Sequence, residues 1–158
     1  MQPLQAAAGT TSDTALFRAL NLPSDGSTAK VLIVDDDAAS RLALAAAIRA
    51  GGYAVSFSTS ASDARSRLSK LDPDVIICDL MMEDLRGDEF VRWLKDHERW
   101  KLVPVIAVTQ LDDSLVRVDL LDAGAHAVLA KSAARRELRA HVAAALRTRR
   151  MLLGCRAK

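Results

Sequence analysis

The chain has 158 residues, of which 50% are hydrophobic, 27% charged and only 4% aromatic. That length suits one domain, the balance excludes a disordered or fibrous chain, and no apolar run reaches the ~20 residues that a bilayer-spanning helix needs. A formal charge of +2 hides an asymmetry: nine Lys/Arg against one Glu from Lys131 onward give +8, so the first 130 residues carry −6.

In chain order, residues 1–29 stand apart as an extension. Met1 to Thr11 lacks the basic start and long apolar stretch of a secretory signal. Thr14 to Leu20 reads as a short helix with Leu16, Phe17 and Leu20 on one face, and Pro23 to Ser27 as a linker. The domain is placed at residues 30–150, with a tail over 151–158. From Lys30 the pattern alternates. Val31–Val34 is a β-branched run followed by Asp35-Asp36-Asp37. Ala38–Ala50 is helical and closes at Gly51-Gly52. Tyr53–Phe57 is a strand, and Ser60–Lys70 a helix with Ser60 or Ser62 as cap. Val75–Cys78 is a continuous apolar strand followed by Asp79. Asp88–Arg99 puts Phe90, Trp93, Leu94 and His97 at helical spacing. Val105–Val108 ends at Thr109, Asp112–Asp122 is a helix stopped by Gly124, and Ala127–Ala130 ends at Lys131. Ser132–Arg149 is the closing helix.

Strict alternation of five strands and five helices implies an α/β fold with a parallel sheet, right-handed crossovers and helices on both faces. The apolar central strands fit a sheet covered on both sides. Chemistry in such sheets gathers at the carboxyl ends of the strands. Those ends carry Asp35/Asp36, Asp79, Thr109 and Lys131. Singly, each has an ordinary reading: an Asp after a strand caps a helix, and a lone lysine is a surface residue. Together on one rim they point to a site. Carboxylates about 4 Å apart repel by ~4 kcal/mol at an effective dielectric near 20, so this acid group calls for a hard divalent cation. A carboxylate beside such a cation can attack phosphorus to give an acyl phosphate, with Lys131 neutralising one phosphoryl oxygen and Thr109 donating to another.

Residues 30 to about 150 resemble the receiver domain of two-component response regulators. The segments that carry the resemblance are KVLIVDDDAASR, PDVIICDLMMEDLRGDEF, VPVIAVTQ and AGAHAVLAKS. The resemblance implies a flavodoxin-like (βα)5 sandwich with strand order 2-1-3-4-5. It implies Asp79 as phosphoacceptor, and Mg²⁺ held by Asp35, Asp36, Asp79 and the backbone carbonyl of Met81, with Asp36 the more direct of the acidic pair. Thr109 becomes the switch hydroxyl and Lys131 the partner of the phosphoryl group. The implied activity is uptake of a phosphoryl group from a sensor histidine kinase or a histidine phosphotransfer protein, switching partner binding or dimerisation, without turnover as an enzyme. The two cysteines, far apart and without a CxxC, fit a reducing cytoplasm.

The chain departs from the family pattern at several points. Glu83 stands where Pro is usual, two residues after Met81. Ser132 follows the lysine where Pro, often cis, is usual. Val128 replaces the aromatic ring that rotates on activation, and Gln110 replaces a small residue. Asp37 reads as a helix cap and Gly87 closes the loop as in the family. Met81 and Leu111 flank the path of an attacking water, and neither can orient one, so a slowly hydrolysing phosphoaspartate is expected. Val128 cannot rotate as a ring does, so a muted change near the fourth and fifth strands is expected too.

The other features carry less. Phe90, Trp93 and Trp100 read as packing residues, and His97, His126 and His141 lack metal-ligand spacing. Cys78 reads as a small core residue, and with Cys155 far from it neither a disulfide framework nor a zinc site is expected. No aromatic interleaves the basic residues of the last helix, so a solvated helix face is favoured over nucleic-acid binding. Val142, Leu146 and Leu153 either support a homodimer or pack on the sheet. Two other readings stay open: a receiver-like interaction module that is never phosphorylated, and a haloacid-dehalogenase-like phosphatase with Asp35 and Asp37 as its acid pair. A flavin binder of the same fold is disfavoured because three aspartates would repel the cofactor phosphate.

Overall fold

A computed structural model of the chain describes residues 28–110 and 114–156. The short helix expected over Thr14–Leu20, the linker over Pro23–Ser27, Leu111 and the expected helix start at Asp112 lie outside the described residues. Five strands alternate with five helices: β1 (Lys30–Val34), α1 (Ala38–Ala50), β2 (Ala54–Ser58), α2 (Ala61–Leu71), β3 (Val75–Asp79), α3 (Gly87–Asp96), β4 (Val105–Thr109), α4 (Ser114–Asp122), β5 (Ala127–Ala130) and α5 (Lys131–Arg156). All pairings are parallel, in the order β2-β1-β3-β4-β5 that the sequence implies.

Alternation of side chains along each strand divides the core in two. Leu32, Val34, Ile76, Cys78, Val105 and Ala107 face one side, under α2, α3 and α4, where Leu68, Phe90, Leu94 and Leu120 are buried. Val31, Ile33, Val75, Ile77, Ile106 and Val108 face the other, under α1 and α5. The two strands β3 and β4 are buried at every position, which explains their unbroken apolar runs.

Caps and turns fix the boundaries. Asp37 caps α1 by accepting from the Ser40 N–H, as read from sequence, and Ser60 caps α2 by accepting from the Asp63 N–H. The end of α2 turns through Asp72 in the left-handed region. α3 stops at Asp96 and not at Arg99: His97, in extended backbone, is its cap, and the next residues form a turn that seats Trp100 in the core. Lys95 stabilises that turn by donating to the carbonyls of Lys101 and Val103.

The last helix differs most from expectation. It begins directly at Lys131 and continues through Arg156, seven residues past the expected end at Arg149. Nothing between Arg149 and Arg156 breaks a helix apart from Gly154, which near an exposed end costs only about 1 kcal/mol. Val142 and Leu146 are buried on the sheet, so of the three residues considered for self-association only Leu153 is exposed, alongside Met151 and Leu152. Among the described residues no helix is long and apolar enough to cross a membrane.

Candidate functional site

The carboxyl ends of β1, β3, β4 and β5 meet at one rim. In-register pairing sets Val34 beside Cys78, Asp79 beside Val108 and Thr109 beside Ala130. The residues that follow or close these strands therefore converge: Asp35 and Asp36 after β1, Asp79 ending β3, Thr109 ending β4 and Lys131 after β5. Asp35, Asp79 and Thr109 are buried, whereas Asp36 is exposed.

Asp35 is held in place by its own helix. One carboxylate oxygen accepts from the Asp37 N–H at 2.9 Å and the other from the Ser40 hydroxyl. Arg41 donates to the Asp35 carbonyl at 2.8 Å. Ser40 and Arg41 escaped the sequence reading, because a Ser and an Arg in a first helical turn look like ordinary surface residues. Only the sharp turn from β1 into α1 brings them to Asp35.

Asp79 is clamped at both oxygens. Oδ1 accepts from the Met81 N–H at 3.2 Å, and Oδ2 accepts from Lys131 Nζ at 3.1 Å. Lys131 also lies 3.6 Å from Asp35 Oδ2, so one ammonium serves two buried carboxylates. Burial lifts the Asp79 carboxyl above its usual range. Lys131 and the Met81 N–H pull it back in part, and the Asp35 charge adds to the rise. Burial works against the Lys131 ammonium, but Asp79 and Asp35 outweigh it and raise its affinity for the proton. Lys131 is therefore cationic at neutral pH, between acids that it incompletely neutralises.

Asp35, Asp36 and Asp79 each present an oxygen within 4.8 Å of the others. At that separation an effective dielectric near 20 gives a repulsion of about 3 kcal/mol per pair. Three hard oxygen donors, one of them solvent-facing, match the donor set that Mg²⁺ takes. The loop after β3 is shaped around the same point. Gly87, the first residue of α3, passes so close that a Cβ there would lie 2.7 Å from both the Asp79 carbonyl oxygen and the Leu80 Cα. Asp84 ties the outer part of this loop to α2 by accepting from the Ser62 N–H. Met81 is 61% exposed at the mouth, and Glu83 is exposed beyond it.

Positions of departure from the family pattern are also defined. Val128 is buried in the core under α2, α3 and α4, and Arg117 of α4 reaches its carbonyl. The Lys131–Ser132 peptide is trans. Asp37 is occupied as a helix cap, which removes it from the acid pair that the phosphatase reading needs. Cys78 is buried with its thiol pushed up by burial and by neighbouring acids, in keeping with a core role.

Comparisons with known proteins agree with this geometry. Residues 31–143 match the family model described as the response regulator receiver domain. The chain is similar to the transcriptional regulatory protein GltR of Pseudomonas aeruginosa, at 33% identity over 74% of this chain and 48% of that protein. It is also similar to the response regulator MprA of a Mycobacterium species, at 35% identity over 75% of this chain and 50% of that protein. It thus spans about half the length of these curated relatives. Among solved structures, the signal receiver domain of a signal transduction histidine kinase from Syntrophus aciditrophicus superposes with a TM-score of 0.70 at 30% identity, over 75% of this chain and 90% of that one. Fold, rim and sequence similarity lead to the same place: this chain belongs to the response regulator receiver domain family.

Proposed function

We propose that the domain accepts a phosphoryl group on Asp79 from a histidine donor, a sensor kinase or a phosphotransfer protein, and that this changes what it binds. One observation carries the reading: Asp79 sits with both oxygens oriented, between a lysine ammonium and two further acids, at the open rim of the sheet. The Met81 N–H and Lys131 hold the carboxylate so that an oxygen can attack phosphorus. The P–N bond to the donor imidazole breaks as the acyl phosphate forms, and the imidazole departs with its electron pair and takes up a proton. Lys131 compensates charge on the phosphoryl oxygens, and Thr109, buried at the end of β4, supplies a hydroxyl on the same rim. Asp35, Asp36, Asp79 and the Met81 carbonyl would hold Mg²⁺, which would supply the positive charge that lets a phosphate approach three carboxylates.

Met81 offers the site a thioether in place of a group that could orient water. This supports a long-lived phosphoaspartate, as does the apolar residue type at Leu111, two positions after Thr109 in sequence and outside the described residues. The buried Val128 supports a switch that does not depend on ring rotation. The test is treatment with acetyl phosphate and Mg²⁺, followed by intact-mass and peptide analysis. One phosphoryl group on Asp79, absent from Asp79→Asn, is expected. Label on Asp35 would instead favour phosphatase-like chemistry, and no mass change with acetyl phosphate together with no saturable binding of beryllofluoride in a titration with Mg²⁺ would leave an unphosphorylated interaction module.

A further inference from the structure

The end of the domain opposite the acid rim holds a positively charged cluster that the phosphoacceptor chemistry does not use. Tyr53, immediately before β2, is only 7% exposed, yet among the described residues its phenol oxygen has no hydrogen-bond partner. Leaving a buried hydroxyl unpaired costs about 1–3 kcal/mol, so the group calls for a partner such as water or a bound ion. The ring edge lies against the end of α1: a Cβ on Gly51 would sit 2.9 Å from Tyr53 Cε2 and 3.3 Å from Arg139 Cδ. Tyr53, Gly51 and Arg139 of α5 therefore meet at one point. Arg139, Ala143, Arg147 and Arg150 follow one another at i, i+4, i+8 and i+11, which is one face of a helix. The residue at the centre of that row, Ala143, is buried, and exposed Arg139 and Arg147 flank it.

Electrostatics give the cluster its sign. Burial raises the Tyr53 phenol, and Arg147, Arg150 and Arg139 pull it back; no carboxylate contributes. The nearby Arg149 is engaged elsewhere, by Asp74. Forked guanidinium donors with a neutral hydroxyl suit a tetrahedral oxyanion, and the two positive charges of Arg139 and Arg147 suit a dianion better than a single carboxylate.

We propose that Tyr53, Arg139 and Arg147 form a binding site for a dianionic phosphate group, free or carried on a small molecule, at the base of the domain and remote from Asp79. The ¹⁵N-labelled protein, without Mg²⁺ and at constant ionic strength, is titrated with inorganic phosphate and separately with ATP while amide shifts are followed. Saturable shifts at residues 51–53 and 139–150, with Asp79 and Met81 unmoved, are expected with at least one of the two. Tighter saturation by ATP assigns a nucleotide as the source, and equal saturation assigns free phosphate. The double variant Arg139→Gln/Arg147→Gln should weaken binding at least roughly tenfold, the loss expected for charge-assisted bonds. Tyr53→Phe, which keeps the ring in the core, should weaken it by a smaller factor with the rest of the spectrum unchanged. Saturation by neither ligand, or shifts that persist in the double variant, would overturn the proposal and leave the arginines as partners of the α1 carboxyl end.

Discussion

At the residue scale, Asp79 is the most consequential side chain, because it is charged, buried and only partly compensated. A carboxyl whose proton affinity is raised by folding stabilises the native state while protonated, and that contribution fades as pH climbs through its folded pKa. The metal-free protein should thus be stabilised by Asp79→Asn, and the gap in Tm between variant and wild type should widen from about pH 4 to about pH 7. Mg²⁺ should close the gap by stabilising the wild type and not the variant. A thermal melt series with and without the ion reads both effects, and a gap that is flat with pH would contradict the charge argument. Met81 gives a second test at this scale. Met81→Asn places an amide where water must approach, so the acyl phosphate should decay at least ~10-fold faster, as followed by loss of label. The acids, threonine and lysine of the rim were readable in the sequence because strand ends are marked by breaks in apolar runs. Ser40 and Arg41 were not, since their roles arise from the path of the chain between β1 and α1 and no spacing rule announces them.

At the element scale, the loop from β3 into α3 depends on one missing methyl group. Gly87→Ala would drive a Cβ into backbone atoms of Asp79 and Leu80, which cannot rotate aside as a side chain could. A loss of about 1–3 kcal/mol is expected from denaturant midpoints, together with slower phosphorylation because Asp79 itself must shift. The helix boundaries show where sequence reading succeeds and where it fails. α1 was legible at both ends because Asp37 caps it and Gly51 closes it. α3 was read too long because His97 continues the apolar spacing of Phe90, Trp93 and Leu94, although its backbone has already turned extended. α5 was read too short because its final turns carry exposed Met151, Leu152 and Leu153 among basic residues, without the inward-facing period that identifies a packed helix.

At the scale of the whole molecule, the same β1 and β3 strands are gripped from α5 at opposite ends. At the rim Lys131 reaches Asp35 and Asp79, and at the base Arg149 reaches Asp74, which also accepts from the Lys30 N–H. Arg149→Ala should cost about 2 kcal/mol by leaving Asp74 without its guanidinium, measured by equilibrium unfolding, and should leave the rate of phosphorylation unchanged. The two grips differ in kind, since the lower one is a fixed ion pair and the upper one holds the acid proposed to change charge. With no loop between β5 and Lys131, α5 runs unbroken for roughly 39 Å and meets its lower grip at Arg149, its eighth-last residue. Because Leu138, Val142 and Leu146 seat the stretch between the grips on the sheet, slackening at Lys131 would be felt first in the opening turns of α5, while the base stays pinned.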